Sequence, residues 1–228
     1  MKYTSQMIAA GSGSVGGCTY SRNRYGSYIR NRSVPVNPAS INQVFVRGAL
    51  ATLVARWTST LTQNQRDGWT IWAANTPQTD PLGQPIVLTG QNAYISLNAL
   101  RMNASLAIID TAPIVYAGAV LTPPAIVSAT AATEVLSISF TNTDPWATAV
   151  GGALIVFVGR PQNPSKLFYA GPYRIAGWIP GAAVPPASPQ PITSSFPFAV
   201  GQRIHVRFRA VQADARISTP WRLSALAV

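Results

Sequence analysis

The sequence predicts an α+β protein: an N-terminal arm and β-hairpin, a three-helix module, and then an antiparallel β-sandwich. Three observations lead there. Apolar residues recur at helical spacing between Ile41 and Asn103, and switch to a period of two beyond Pro124. Nineteen Pro and 17 Gly punctuate the 228 residues, cutting the second half into short segments. Apolar residues make up 47% of the chain and charged ones only 10%, less than half the roughly 25% usual for globular proteins, so a packed core is expected. The expected parts are residues 1–36 (arm and hairpin), 37–103 (helical module), 104–122 (linker) and 123–228 (sandwich).

Gly11-Ser12-Gly13-Ser14-Val15-Gly16-Gly17 is rich in glycine and reads as a flexible arm. Cys18, Tyr20 and Arg22 then alternate with Thr19, Ser21 and Asn23. Tyr28, Arg30 and Arg32 alternate beyond the turn Arg24-Tyr25-Gly26, which makes a hairpin. One face is expected to carry Tyr20, Arg22, Tyr28, Arg30 and Arg32 together. Such an aromatic and arginine face suits either base stacking or docking on a neighbouring subunit.

Asn37-Pro38 is expected to cap the first helix, Ile41 to Trp57. Ile41, Val44, Phe45, Ala49, Leu53 and Trp57 form one stripe, but Val46, Leu50 and Val54 fall off it. A helix apolar nearly all round is covered on most sides, which in a small domain implies another chain. Thr62-Gln63-Asn64-Gln65 is a capping box for a second helix to about Ala74, where Trp69 and Trp72 share a face with Trp57 to meet. Core packing is favoured for these tryptophans over a ligand cage. Asp80-Pro81-Leu82-Gly83 reads as a turn and Pro85 to Leu88 as a short strand. Thr89-Gly90 opens a third helix through Asn103, with Tyr94, Leu97 and Arg101 at helical spacing.

In the second half Leu136, Ile138 and Phe140 alternate, as do Leu154, Val156 and Val158, and Ile204, Val206 and Phe208. About seven strands are expected. Trp178 to Pro191, rich in Gly and Pro, reads as a long exposed loop.

The basic residues are unevenly placed. Net charge is +11, and Lys2, Arg22, Arg24, Arg30, Arg32, Arg47, Arg56 and Arg66 all precede the first acid, Asp67. Arginine in this excess suits bidentate and stacked contacts. The readings are a surface for nucleic acid, or an interface arm whose arginines pair with carbonyls and carboxylates.

Catalysis finds little support. One Cys and one His exclude a disulfide framework and Cys/His zinc sites. His205 lies opposite the Ile204–Val206 stripe and is expected to be solvated. Cys18 follows a loose arm, and the six acids (Asp67, Asp80, Asp110, Glu134, Asp144, Asp214) are scattered. The glycines at 11–16 have dinucleotide-fingerprint spacing without a preceding strand, so no cofactor is expected. No export signal or membrane span is expected either.

Two resemblances add to this. Trp57, Leu61-Thr62, Gln65-Arg66, Trp69, Trp72-Ala73, Gly83, Thr89-Gly90, Asn92, Tyr94 and Asn98, preceded by Val34-Pro35-Val36-Asn37-Pro38, resemble a group of small virion-structural-type proteins of tailed phages and prophages. That likeness spans roughly residues 15–103. Gln202 to Val211, and Arg216 to Trp221, are similar to the penultimate strand and last turn of a fibronectin type III or immunoglobulin-like domain, without a tyrosine corner or a Trp in the third strand. The resemblances imply a virion component (capsid decoration, neck or tail) with no catalytic residues to carry over, and the missing export signal leads to the expectation that it is made in the host cytoplasm. Its partners would be copies of itself and other virion proteins. Tyr20, Arg22, Arg24, Tyr28, Arg30, Arg32 and Arg47 are the candidate contacts with subunits or nucleic acid. The alternatives are a genome-binding capsid-type protein and an extracellular filament or adhesive subunit.

Overall fold

The computed structural model describes residues 12–33, 36–80, 83–116 and 121–228. The start of the arm, Val34-Pro35, the turn centre Pro81-Leu82 and residues 117–120 of the expected linker lie outside the described residues. The fold is α+β, with helices and several antiparallel sheets. The chain divides into two compact units, Met1–Val44 and Phe45–Val228.

In the first unit β1 (Gly13–Val15), β2 (Cys18–Asn23) and β3 (Gly26–Asn31) form a sheet in that order. The expected hairpin is present, but the glycine-rich stretch is a strand from Gly13 onward. It pairs Gly13 with Tyr20 and Val15 with Cys18. Gly16, at φ 56°, supplies the left-handed residue that a two-residue hairpin turn requires. Before α1 (Ile41–Ser59), the expected Asn37-Pro38 cap is not used. Asn37 Oδ1 instead accepts from its own turn at Ala39 N (3.3 Å). Ser40 and Gln43 form the reciprocal box, Ser40 N to Gln43 Oε1 at 3.3 Å and Gln43 N to Ser40 Oγ at 3.4 Å.

In the second unit α2 (Gln63–Asn75) starts at the Thr62–Gln65 capping box, and α3 (Gly90–Asn103) follows Thr89, whose hydroxyl accepts from Asn92 N; both starts are as expected. Between them β4 (Gln78–Thr79) and β5 (Pro85–Ile86) form a two-stranded ladder. A Cβ on Gly90 would strike Thr70, so glycine permits the close crossing of α2 and α3. Leu53, Leu61, Trp69, Trp72, Tyr94 and Leu97 fill the core between the helices. Trp69 lies edge-on to Trp72 at 6.0 Å, and Trp57 packs on Tyr94 at 5.6 Å.

The segment after α3 is built into the structure rather than bridging two domains. Asn98 clamps it by donating to Ile109 O (3.0 Å) and accepting from Ile109 N (2.8 Å), while Trp69 Nε1 donates to Asp110 O at 2.7 Å.

The seven strands of the second half are β6 (Ala125–Thr130), β7 (Val135–Ser139), β8 (Ala153–Gly159), β9 (Tyr173–Pro180), β10 (Gln190–Thr193), β11 (Arg203–Val211) and β12 (Trp221–Leu226). A short α4 (Pro145–Thr148) precedes β8. They form a three-stranded sheet β10-β7-β6 and a four-stranded sheet β12-β11-β8-β9. The expected loop Trp178–Pro191 is shorter at both ends, because Trp178 lies in β9 paired with Ile155 and Gln190-Pro191 begin β10. One cluster draws side chains from both sheets, among them Leu136, Ile138, Leu154, Val156, Ile204, Val206 and Phe208.

β8 is buried along its whole length. Leu154, Val156 and Val158 enter that cluster, whereas Ile155 and Phe157 turn to the other side, against Ala104 and Val211 with Leu100 and Leu106 packed around them. A continuous apolar run is what a strand covered on both faces requires.

Candidate functional site

The arginine and aromatic residues of the hairpin do not share one face. Asn23 pairs with Gly26 across a two-residue turn, so even-numbered residues of β2 face odd-numbered ones of β3: Tyr20 opposes Ile29 and Arg22 opposes Ser27. Directly opposed residues lie on the same face. Tyr20 and Arg22 therefore occupy one face, and Tyr28 and Arg30, opposite Ser21 and Thr19, the other. The expectation took Arg24-Tyr25-Gly26 as the turn; the loss of one residue inverts the parity. Arg24 is in the turn, and Arg32, just past β3, donates its N–H to Gly17 O (2.8 Å). Arg47 is exposed on α1, in the second unit.

α1 presents a second surface. Leu53 and Ala49 are its buried residues, while Phe45 (47%), Val46 (58%), Leu50 (48%) and Val54 (37%) are exposed. The helix has no acidic residue, and its exposed surface mixes these apolar side chains with Asn42, Gln43, Arg47 and Thr52.

Several of the residues carrying the resemblance in the helical block, with neighbours outside it, hold the helices together. Arg66 donates to Trp57 O (2.9 Å) and Thr58 O (2.8 Å), tying the end of α1 to α2. Arg56 grips Asp110 through Nε (2.7 Å) and Nη2 (2.6 Å), and Tyr94 OH approaches the same carboxylate at 3.3 Å. The Arg56 hydrogen bonds hold the Asp110 carboxyl below the usual carboxylate range against the opposing effect of burial. Burial, then the Asp110 charge, pushes the Tyr94 phenol up.

A basic row missed in the sequence reading lies on the four-stranded sheet. Arg203, His205, Arg207 and Arg209 alternate with the core-facing Ile204, Val206 and Phe208, so they occupy the opposite face of β11. Arg203 is tied to Pro164 O (2.7 Å) and Ser224 Oγ (3.1 Å). His205, expected to be solvated, is only 4% exposed: the 166–169 segment folds over it. Its Nε2–H donates to Lys166 O (3.0 Å), and its ring stacks on Tyr169 at 5.4 Å. Burial holds its pKa below the ordinary value, the Lys166 carbonyl opposing and the Arg203 and Lys166 charges adding to the effect.

Arg207 lies over Phe157 (4.5 Å) and Tyr173 (5.0 Å) and stands opposite Arg222 on β12. Burial, then the nearby positive charge of Arg209, lowers its pKa; burial does the same to Arg209. Among the described residues the ion pairs are Arg56–Asp110 and Arg216–Asp214 (2.6 Å), so neither Arg207 nor Arg209 has a carboxylate partner. The signal was present as Arg-x-His-x-Arg-x-Arg, readable by period two.

Beyond Arg209 a cleft of about 560 Å³ opens between the helices and the β11–β12 connection, lined in part by Trp72, Thr76, Ser96, Arg216 and Thr219. No group of three or more His, Cys, Asp or Glu able to hold a metal occurs among the described residues. No helix among them is long and apolar enough to cross a membrane. The chain matches no protein-family model, no curated protein and no solved structure.

Proposed function

We propose that this chain is a non-enzymatic structural subunit of a phage-like virion, acting by self-assembly and subunit contacts. The observation that carries the proposal is the apolar surface of α1: Phe45, Val46, Leu50 and Val54 are exposed on a helix without an acidic residue. Exposed apolar surface of that kind marks an interaction site, and charge depletion is the signature of an interface core. A chain only 10% charged suits a protein that spends its working life covered.

The strand order supports a finer reading of the second half as a fibronectin type III-like sandwich. Its sheets run β10-β7-β6 and β12-β11-β8-β9, so the chain alternates between them and brings penultimate β11 between β8 and the last strand. One apolar cluster is shared by both sheets. The split of the hairpin's Tyr and Arg between two faces argues against a single base-stacking platform, so assembly is preferred to nucleic-acid binding through the arm.

The test is size-exclusion chromatography with light scattering on the full chain and on a Leu50→Glu, Val54→Glu variant. The wild type is expected to form oligomers free of nucleic acid, and the variant to fall to monomer with an unchanged circular dichroism spectrum. A wild type that stays monomeric at high concentration, or a variant that assembles equally well, would overturn the proposal.

A further inference from the structure

We propose that the cleft between the helices and the β11–β12 connection is a binding site for a single carboxylate attached to an apolar body, with Arg209 as its counter-charge. Nothing in the assembly reading requires this site, and the two stand or fall separately.

Three features of the cleft point the same way. The first is charge. Arg216 is neutralised by Asp214, Nε to Oδ2 at 2.6 Å, whereas the Arg209 side chain has no carboxylate partner and its Nε no acceptor among the described residues. The two arginines and one aspartate leave one uncompensated positive charge at the cleft. That balance fits a monoanion; a phosphate dianion would leave an excess negative charge beside Asp214. The planar guanidinium fork also matches a carboxylate in geometry.

The second feature is a stranded pair of donors. Arg209 Nε and Trp72 Nε1 are both buried without an acceptor, and both residues line this cleft, whereas Arg207 Nε, the third such donor, lies outside it. Buried N–H groups without a partner are uncommon in folded proteins and call for an acceptor. A wall that supplies donors and a cation, with hydroxyls such as Thr219, lacks an anionic acceptor.

The third feature is the rest of the lining. Trp72, Leu97 and Ile217 give the cleft an aromatic and aliphatic wall beside the charge. About 560 Å³ lies within the range of small-ligand pockets, roughly 300–1,000 Å³. The carboxylate can belong to a free small acid or to an acidic side chain of another polypeptide; the chemistry at Arg209 is the same.

The experiment titrates the full chain by calorimetry and thermal shift at constant ionic strength. The probes are sodium phenylacetate, its neutral analogue phenylacetamide, inorganic phosphate, and the peptides acetyl-Asp-Phe-amide and acetyl-Asn-Phe-amide. Phenylacetate or the aspartyl peptide is expected to bind and stabilise, and the neutral analogues not to. A peptide at least about tenfold tighter than phenylacetate assigns the source to a polypeptide, and the reverse to a small acid. Arg209→Met is expected to weaken binding at least about tenfold. Trp72→Phe keeps an aromatic side chain, removes one donor and weakens binding a few-fold, which serves if the Arg209 variant fails to fold. The proposal is overturned if phenylacetamide binds as well as phenylacetate, if phosphate binds more tightly than either acid, if neither acid binds at about 10 mM, or if both variants keep wild-type affinity.

Discussion

Arg101 is the fastening between the helices and the sheets, and replacing it tests how the second unit holds together. The side chain is 2% exposed and carries no bonded carboxylate. Nε donates to Ala107 O at 2.8 Å, and Nη1 donates to Gly151 O (3.1 Å) and Gln212 O (2.9 Å). It thus gathers three carbonyls: one just past α3, one just before β8 and one just after β11. In Arg101→Met, three charge-assisted bonds disappear, each contributing about 1.5–3 kcal/mol. Against this, the variant no longer buries a guanidinium, whose pKa is lowered chiefly by that burial, and recovers several kcal/mol of desolvation. The net expected loss is roughly 2–4 kcal/mol, a fall in Tm of about 4–16 °C for a unit of this size. Thermal unfolding followed by circular dichroism measures it. Arg101→Lys keeps the charge but lacks the fork, and should lose most of the same stability. A Met variant as stable as wild type, or a Lys variant that restores it, would show that the three-way grip contributes nothing.

Two further outcomes follow from buried groups. His205 is held neutral in the native state because burial lowers its pKa, so the unfolded chain takes up a proton that the native chain refuses. Stability is therefore expected to fall as pH drops below about 6.5, by at most about 1.4 kcal/mol per pH unit, and to level off below the native value. His205→Gln should flatten that slope in denaturant titrations across pH 7 to 5; an identical slope would refute the assignment. Gly152→Ala would drive a methyl into the Trp146 carbonyl, and should cost about 1–3 kcal/mol by denaturant unfolding, with a neutral result showing that the loop can shift.

Much of the fold was legible because its signals are local. The Thr62–Gln65 box and the Thr89 cap are patterns of three or four residues whose hydrogen bonds close within one turn. The alternation around Leu154 and Ile204 was equally plain. What escaped depended on contacts between distant segments. His205 looked solvated because period two assigns it to the outer face, and nothing in the sequence says that Lys166 and Tyr169 return to cover that face. The hairpin register turned on whether the turn holds two residues or three, and that single residue decided which arginines stand together. The basic row on β11 was visible as an alternation, but the cleft beyond it exists only because the helices pack against the same sheet.

The two-sided burial of β8 leaves its alignment undetermined by polarity. In most strands a slip of one residue would expose the apolar set, and that penalty fixes the pairing. Here Ala153 to Val158 is apolar at every position, so sliding by one still presents apolar groups to both layers. The choice falls to the ends. Gly152 sits against the Trp146 carbonyl and Gly159 against the Tyr169 ring, where neither place tolerates a Cβ. Advancing the strand by one residue would thrust Val158 or Arg160 into the aromatic ring or Ala153 into the carbonyl. Two glycines with no side chain to contribute act as the stops that index the central strand.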